Sequence, residues 1–304
     1  MENGGKSMKV LYNGVDITNY VEIKKCIHEE YHEFHSDMLT IDMRDLDEKW
    51  DKWNPKIDDT IKVIQGVTNT GTMYIKSLEP MCGSYRINAQ STKADVEELH
   101  NKEWGIISFL QILQEIANRH NLVLRTYEIA DTRYKKLSQK NQNDLDFLSD
   151  LCKLEGYHYL IFDNQLVCYS KTYLEQRDAI QVEITKDNQY RLFRKKTFGG
   201  LKLISGTNEY IHQVGNGYLV DVSIALENLS KAEQERFAKN LFYHKTKESE
   251  SGYFYTNQIN ESLCAGNTIQ LNISAASSFS NKCVISQVRN DYFNNRSKVF
   301  FYVL

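Results

Sequence analysis

The chain has 304 residues, 41% apolar and 25% charged, enough to bury two or three ordinary cores and outside the composition of disordered chains. With 37 basic against 40 acidic residues the formal charge is −3, which gives no global pull toward nucleic acid or anionic lipid. No apolar run is long enough to span a bilayer and the opening MENGGKSMKV lacks an apolar secretory segment, so neither an integral membrane protein nor a Sec-secreted one is expected.

Only Pro55 and Pro80 are prolines, while 19 tyrosines and 12% aromatic residues favour strands and polar interfaces. Residues 9–12, the Asn13-Gly14 pair and the residues from Val15 read as strand, tight turn, strand. Strands follow over 20–27 and 38–44. A turn led by Pro55 opens a strand over 60–64 with Ile61 and Val63 on one face, and strands over 72–78 and 85–89 flank Gly83. Short strands with regular turns predict a small barrel or sandwich.

His28-Glu29-Glu30-Tyr31-His32 spells H-E-x-x-H, the zinc-protease signature. That chemistry needs both histidines one helical turn apart, with the glutamate beside a metal-bound water. The flanking segments read as strands, no cap opens a helix, and His35 comes too soon for the extended spacing. A charged loop or strand pair is therefore preferred, and a zinc metallopeptidase holding metal on His28 and His32 is the alternative. Residues 28–59 carry an acidic excess and 186–202 a basic one. Such runs are usually solvated faces; the sharper reading is that the two patches meet across neighbouring subunits.

Residues 93–102 read as a charged helix or partial helix, followed by Trp104-Gly105 and a firm helix over 109–120. Ser108 and Gln111 make its capping box, and Phe109, Ile112, Leu113, Ile116 and Ala117 its buried stripe. A strand over 122–126 leads to the most legible unit, residues 138–170. There Asn143 caps a helix, Asp144 and Asp146 suit its positive end, and Leu145, Leu148, Leu151, Cys152 and Glu155 follow at helical spacing. Gly156 stops it, and strands over 157–162 and 165–170 flank Asp163-Asn164.

Beyond Thr172 strands are expected over 179–184, 190–198, 201–205 and 218–224, with Gly199-Gly200 as a hairpin turn. Ser230 and Glu233 form a second capping box, opening a helix to about His244 with Ala232, Phe237, Ala238, Leu241 and Phe242 apolar. Strands over 252–257, 268–273, 283–289 and 298–303 finish the chain. Residues 59–64 and 267–272 echo one another as a polar residue, threonine and alternating aliphatics. Cys26, Cys82, Cys152, Cys168, Cys264 and Cys283 show no C-x-x-C spacing, so buried reduced thiols are expected rather than zinc or redox chemistry. No G-x-S-x-G, phosphate loop, dinucleotide turn or framed carboxylate pair is present, and no catalytic residue or cofactor is expected. A β-rich carbohydrate-binding module is a third reading, motivated by the tyrosines and strands.

Gln139, Asn143, Asp144, Leu145, Phe147, Leu148, Leu151, Glu155, Gly156 and Tyr157 form a pattern that resembles the middle of the late control protein D family. Those proteins are baseplate hubs of contractile phage tails and are related to the first part of VgrG spike proteins of type VI secretion. Trp104, Gly105, Glu115 and Ala117 follow the family's order, with one residue rather than two between glutamate and alanine. The resemblance implies an α+β chain with two small antiparallel β-barrels joined by a helical α/β middle. The barrels would span residues 1–92 and 179–304, the second with a helical insertion, and the middle module 93–178. It further implies a structural, non-enzymatic hub in a phage or tail-like bacteriocin, assembled in the bacterial cytoplasm and located in the baseplate. As a homotrimer it would adapt a six-fold tail tube to a trimeric spike, with baseplate wedge and tape measure proteins as further partners. Neither membrane nor specific nucleic acid is implied.

Overall fold

The computed structural model describes residues 8–185, 187–226 and 228–304. The opening segment read above for a leader, and Lys186 of the basic run, lie outside the described residues. Among those described, no helix is long and apolar enough to cross a membrane.

Strands at the two ends of the chain build one fourteen-stranded sheet that contains the same unit twice. In the first unit, strands 1 to 6 in chain order are Met8–Tyr12, Glu22–Tyr31, Met38–Arg44, Thr60–Gln65, Met73–Met81 and Ser84–Gln90. In the second they are Ile180–Ile184, Tyr190–Arg194, Glu250–Thr256, Thr268–Ile273, Lys282–Asp291 and Arg296–Val303. Hydrogen bonding orders the strands 1-4-5-6-3-2 in both. The likeness extends to irregularities, since the fifth strand bulges against the sixth between Ile75 and Ser77 and again between Ile285 and Gln287. The echo at 59–64 and 267–272 is thus the fourth strand of each unit. One pairing differs: strand 1 is antiparallel to strand 4 in the first unit and parallel in the second.

Alternation explains why each unit curls around its own core. Leu39, Ile41 and Met43, Ile61 and Val63, and Ile87 and Ala89 all point inward with Trp50, while Ile269, Leu271, Ile285, Val299 and Phe301 do the same in the second unit. Closed barrels were expected, and among the described residues neither unit closes. The second strand of the first unit does not turn back to strand 1. Its residues 27–31 pair instead with 291–287 of the second unit, which joins the units edge to edge.

The middle module follows local rules. Asn143 accepts from Asp146 N at 2.8 Å to cap the Asp144–Glu155 helix, and Gly156 ends it at φ +75°. A Cβ on Gly156 would also come within 2.8 Å of the Asn240 side chain. The hairpin Tyr157–Phe162 and Gln165–Ser170 turns on Asp163 and Asn164, both at positive φ as a tight hairpin requires. Val123–Tyr127 adds a parallel third strand. The Phe109–Arg119 helix carries the expected capping box, and its five-residue stripe is fully buried.

Three expectations fail. Residues 93–102 form only a short 3-10 turn, Ala94–Glu97, before a strand His100–Trp104 that pairs with Leu137–Gln142. The predicted strand over 190–198 stops at Arg194. Gly199-Gly200 is no hairpin turn, because the strands before and after it lie in different sheets. Gly200–Ser205 is the centre of a three-stranded insertion flanked by Asn208–Gln213 and Leu219–Ile224, and packed under the Lys231–Thr246 helix. Gly199 is needed for close approach, as a Cβ there would sit 2.2 Å from Gly217 N.

Candidate functional site

The H-E-x-x-H segment does not form a metalloprotease site. His28, Glu29 and Glu30 lie in strand Glu22–Tyr31 and His32 just beyond it, so the two histidines are roughly 13 Å apart along an extended chain. Pairing with Met38–Arg44 on one edge and with the second unit on the other holds this segment extended. Glu29 faces Arg289 across the joint at 3.7 Å. His28 is fully buried with Glu30 and Asp37 oxygens at 3.7 and 3.8 Å, and burial lowers its pKa to about 3. Burial raises Glu30 to about 7 and pushes Asp37 upward as well.

His32 belongs to a separate buried junction where all parts of the fold meet. Its Nδ1 lies 2.7 Å from the Tyr169 hydroxyl and its Nε2 3.0 Å from that of Tyr302. Its neighbour Glu33 lies 2.5 Å from His158 Nδ1, against the Lys247 ammonium and 4.0 Å from His244 Nδ1. The contributors thus come from the first unit, the middle hairpin, the insertion helix and the last strand. His32, Glu33 and His158 present ligating atoms within 4.8 Å of one another. Their donor set is already used, however: both nitrogens of His32 face tyrosine hydroxyls, and Lys247 sits on Glu33 where a cation would. Physically this is a hydrogen-bonded clasp.

Burial keeps the clasp histidines neutral. It lowers His158 to about 3, with the Lys171 charge adding, and His244 to about 2, while His32 lies well below its ordinary value. Lys247 is drawn down to about 7 by burial although Glu33 lies against it. A histidine depressed in the fold leaves stability intact above its unfolded pKa near 6.5 and removes it as pH falls toward the folded value. Four such histidines, His28, His32, His158 and His244, stand against three carboxyls, Glu30, Asp37 and Glu155, whose raised pKa values act in the opposite direction. Stability should therefore fall as pH drops from 6.5 to 4. In His158→Asn the slope of unfolding free energy against pH should be about 1.4 kcal/mol per pH unit shallower, read from urea melts across that range. An unchanged slope would mean that His158 is not buried neutral.

The residues that carried the sequence resemblance form a second polar centre in the middle module. Asp144 is fully buried and accepts from Arg119 at 2.8 Å, from His120 Nε2 at 2.9 Å and from Gln139 Nε2 at 2.9 Å. Burial opposes its charge, yet the bonds from His120 and Gln139 and the Arg119 charge hold its pKa at about 2. Glu155 accepts from Tyr134 at 2.7 Å and pairs with Arg236 at 3.1 Å, and burial leaves its pKa raised. Phe147 stacks on Trp104 with ring centroids 5.7 Å apart and planes 8° from parallel, while Leu148 and Leu151 fill the core. Leu145 offers its carbonyl to the Tyr159 hydroxyl, and Tyr157 lies beneath Phe109. Glu115 is ion-paired with Arg119 and Lys102, and Ala117 is buried.

The features most suited to binding a partner are two free sheet edges. Residues 77–81 pair with Ser84–Gln90 on one side only, and Tyr190–Arg194 pairs only with Glu250–Thr256. Among the described residues, no backbone ladder occupies the other side of either segment.

No family model and no curated protein matches the sequence. Solved structures do match at the level of fold. The 43 kDa tail protein of prophage MuSo2 from Shewanella oneidensis aligns with a TM-score of 0.75 at 12% identity, over 97% of this chain and 98% of that one. A tail protein from Neisseria meningitidis MC58 gives 0.76 at 9% identity, over 98% and 96%. The E. coli c3393 protein, a type VI secretion component described as structurally similar to T4 bacteriophage tail proteins gp27 and gp5, gives 0.66 at 10%, over 93% and 74%. This chain has the fold of prophage tail proteins and of a type VI secretion component, as its resemblance to the baseplate and tail hub family implied.

Proposed function

We propose that the chain is a structural hub in the baseplate of a contractile tail or tail-like particle. It acts as a homotrimer that seats a six-fold tail tube on a three-fold spike. The observation that carries this reading is the twofold use of one strand order, 1-4-5-6-3-2, with the same bulge in each unit. Three chains with two like units each present six, so a six-fold ring can rest on a three-fold body without a symmetry clash.

In this reading residues 1–92 and 179–304 are the tube-like parts. The middle module, 93–178, braces them through Gln139, Asp144, Glu155 and the helix they anchor. The role is mechanical, transmitting the thrust of the tube on contraction. Partners are the tail tube, the trimeric spike, baseplate wedge and tape measure proteins. The zinc-peptidase alternative falls with the extended geometry of His28 and His32.

Mass measurement in solution tests the reading. Three times the 35.5 kDa chain mass is expected; a single chain at micromolar concentration would contradict it.

A further inference from the structure

The two units are alike but not equally used. The inner edge of each fifth strand beyond its bulge is taken in the second unit, where residues 287–291 pair with 31–27. The matching residues of the first unit, 77–81, are open. Similarly the second strand of the first unit has a neighbour on its outer edge, whereas its counterpart Tyr190–Arg194 pairs only with Glu250–Thr256. One open edge of each kind remains on every chain.

We propose that neighbouring copies join by pairing these two edges, antiparallel, in the register that already joins the units within the chain. The inference rests on the homotrimer reading and supplies its interface. The ladders fix the equivalences. Aligning the bulges places Ser77 on Gln287, Leu78 on Val288, Glu79 on Arg289 and Met81 on Asp291. Following the pairs through the third and sixth strands places Phe193 on Glu29, since Glu29 faces Met38 and Gln90 while Phe193 faces Ser251 and Tyr302.

The seam inside the chain sets Gln287 opposite Tyr31, Arg289 opposite Glu29 and Asp291 opposite Ile27. Between copies the same seam sets Ser77 opposite Lys195, Glu79 opposite Phe193 and Met81 opposite Arg191.

Charge and apolar surface agree with that register. Inside the chain, an acid on the second strand meets a base on the fifth, Glu29 with Arg289. Between copies the signs are exchanged: Glu79 on the fifth strand falls between Arg191 and Lys195, its diagonal neighbours on the second. On the other face Leu78, packed at the margin of the first core, comes diagonal to Leu192 at the margin of the second. Met81, 40% exposed in the single chain, is covered. Pro80 takes the place of Asn290, so the ladder between copies has one backbone donor fewer than the seam within the chain. An exposed edge invites strand addition, and here the complementary edge lies on the same molecule.

The test uses the full chain with Cys82→Ser, Glu79→Cys and Phe193→Cys. Directly opposed residues have Cα atoms about 4.5–5.5 Å apart, within the range a disulfide spans. Under mild oxidation, non-reducing gels should show a covalent three-chain species, absent from either single-cysteine variant. It should also be absent when Leu78→Cys replaces Glu79→Cys, whose Cβ points to the opposite face.

As a second readout that leaves the fold intact, Arg191→Glu with Lys195→Glu should raise the dissociation constant of the trimer at least about ten-fold, with Glu79→Lys restoring it. A three-chain mass without the cross-link and without the charge effect overturns this seam while leaving the trimer. A one-chain mass without either overturns both.

Discussion

Replacing Asp144 by alanine should lower the unfolding free energy by about 3–5 kcal/mol at pH 7, the range for breaking a buried ion pair by removing one partner. The carboxylate has no solvent exposure and is the common acceptor for Arg119, His120 and Gln139. Truncation leaves the partly buried Arg119 guanidinium with only Glu115 and leaves His120 and Gln139 without their shared acceptor. Asp144→Asn keeps the shape but loses the charge, and should cost less than alanine while remaining clearly destabilising.

Because the folded pKa is depressed, this contribution is present above the unfolded carboxylate value near 4. It disappears as pH falls to about 2. Urea melts at pH 7 read the effect. A loss below about 1 kcal/mol would mean that the network is not assembled as described.

Trp104→Ala should cost a similar amount, about 3–5 kcal/mol, for an apolar reason. The ring is 2% exposed, lies nearly parallel to Phe147 and has the Lys102 ammonium 3.7 Å from its centre. Removing it opens a cavity between the His100–Trp104 strand and the Asp144–Glu155 helix and strips a cation from its aromatic partner. Trp104→Phe preserves the stacking and should recover more than half of the loss. If alanine and phenylalanine were equally harmful in thermal melts, the stacking would not be the source of the stability.

What could be read from the sequence was what neighbouring residues decide between themselves. Asn143, Gly156, Asp163 and Asn164 set a cap, a stop and a turn over a few residues each, and all lie where expected. Alternation at Ile61 and Val63, or at Leu39, Ile41 and Met43, likewise fixed strands and their buried faces. The H-E-x-x-H string shows the opposite case. His28, Glu30 and His32 alternate with period 2, which places them on one face of a strand, and that signal stood in the sequence beside the motif.

Pairing between distant strands was less accessible. Nothing local to Tyr31 says that it lies opposite Gln287, where the first unit pairs with the second instead of with its own first strand. Strand Asn208–Gln213 escaped notice because Ile211 is its only aliphatic residue and the strand lies exposed at the edge of the insertion. The clasp of His32, Glu33, His158, His244 and Lys247 draws on three separate segments, so no spacing rule could assemble it. Asp144 and Glu155 carried a fainter signal, as acids at the two ends of a helix otherwise set into the core.

An averaged particle image of the purified assembly, viewed down its axis, tests the central claim most directly. Six similar β-rich lobes around an open channel, two from each of three chains, are predicted. A ring lined by one unit per chain, with the other standing outside it, would contradict the reading.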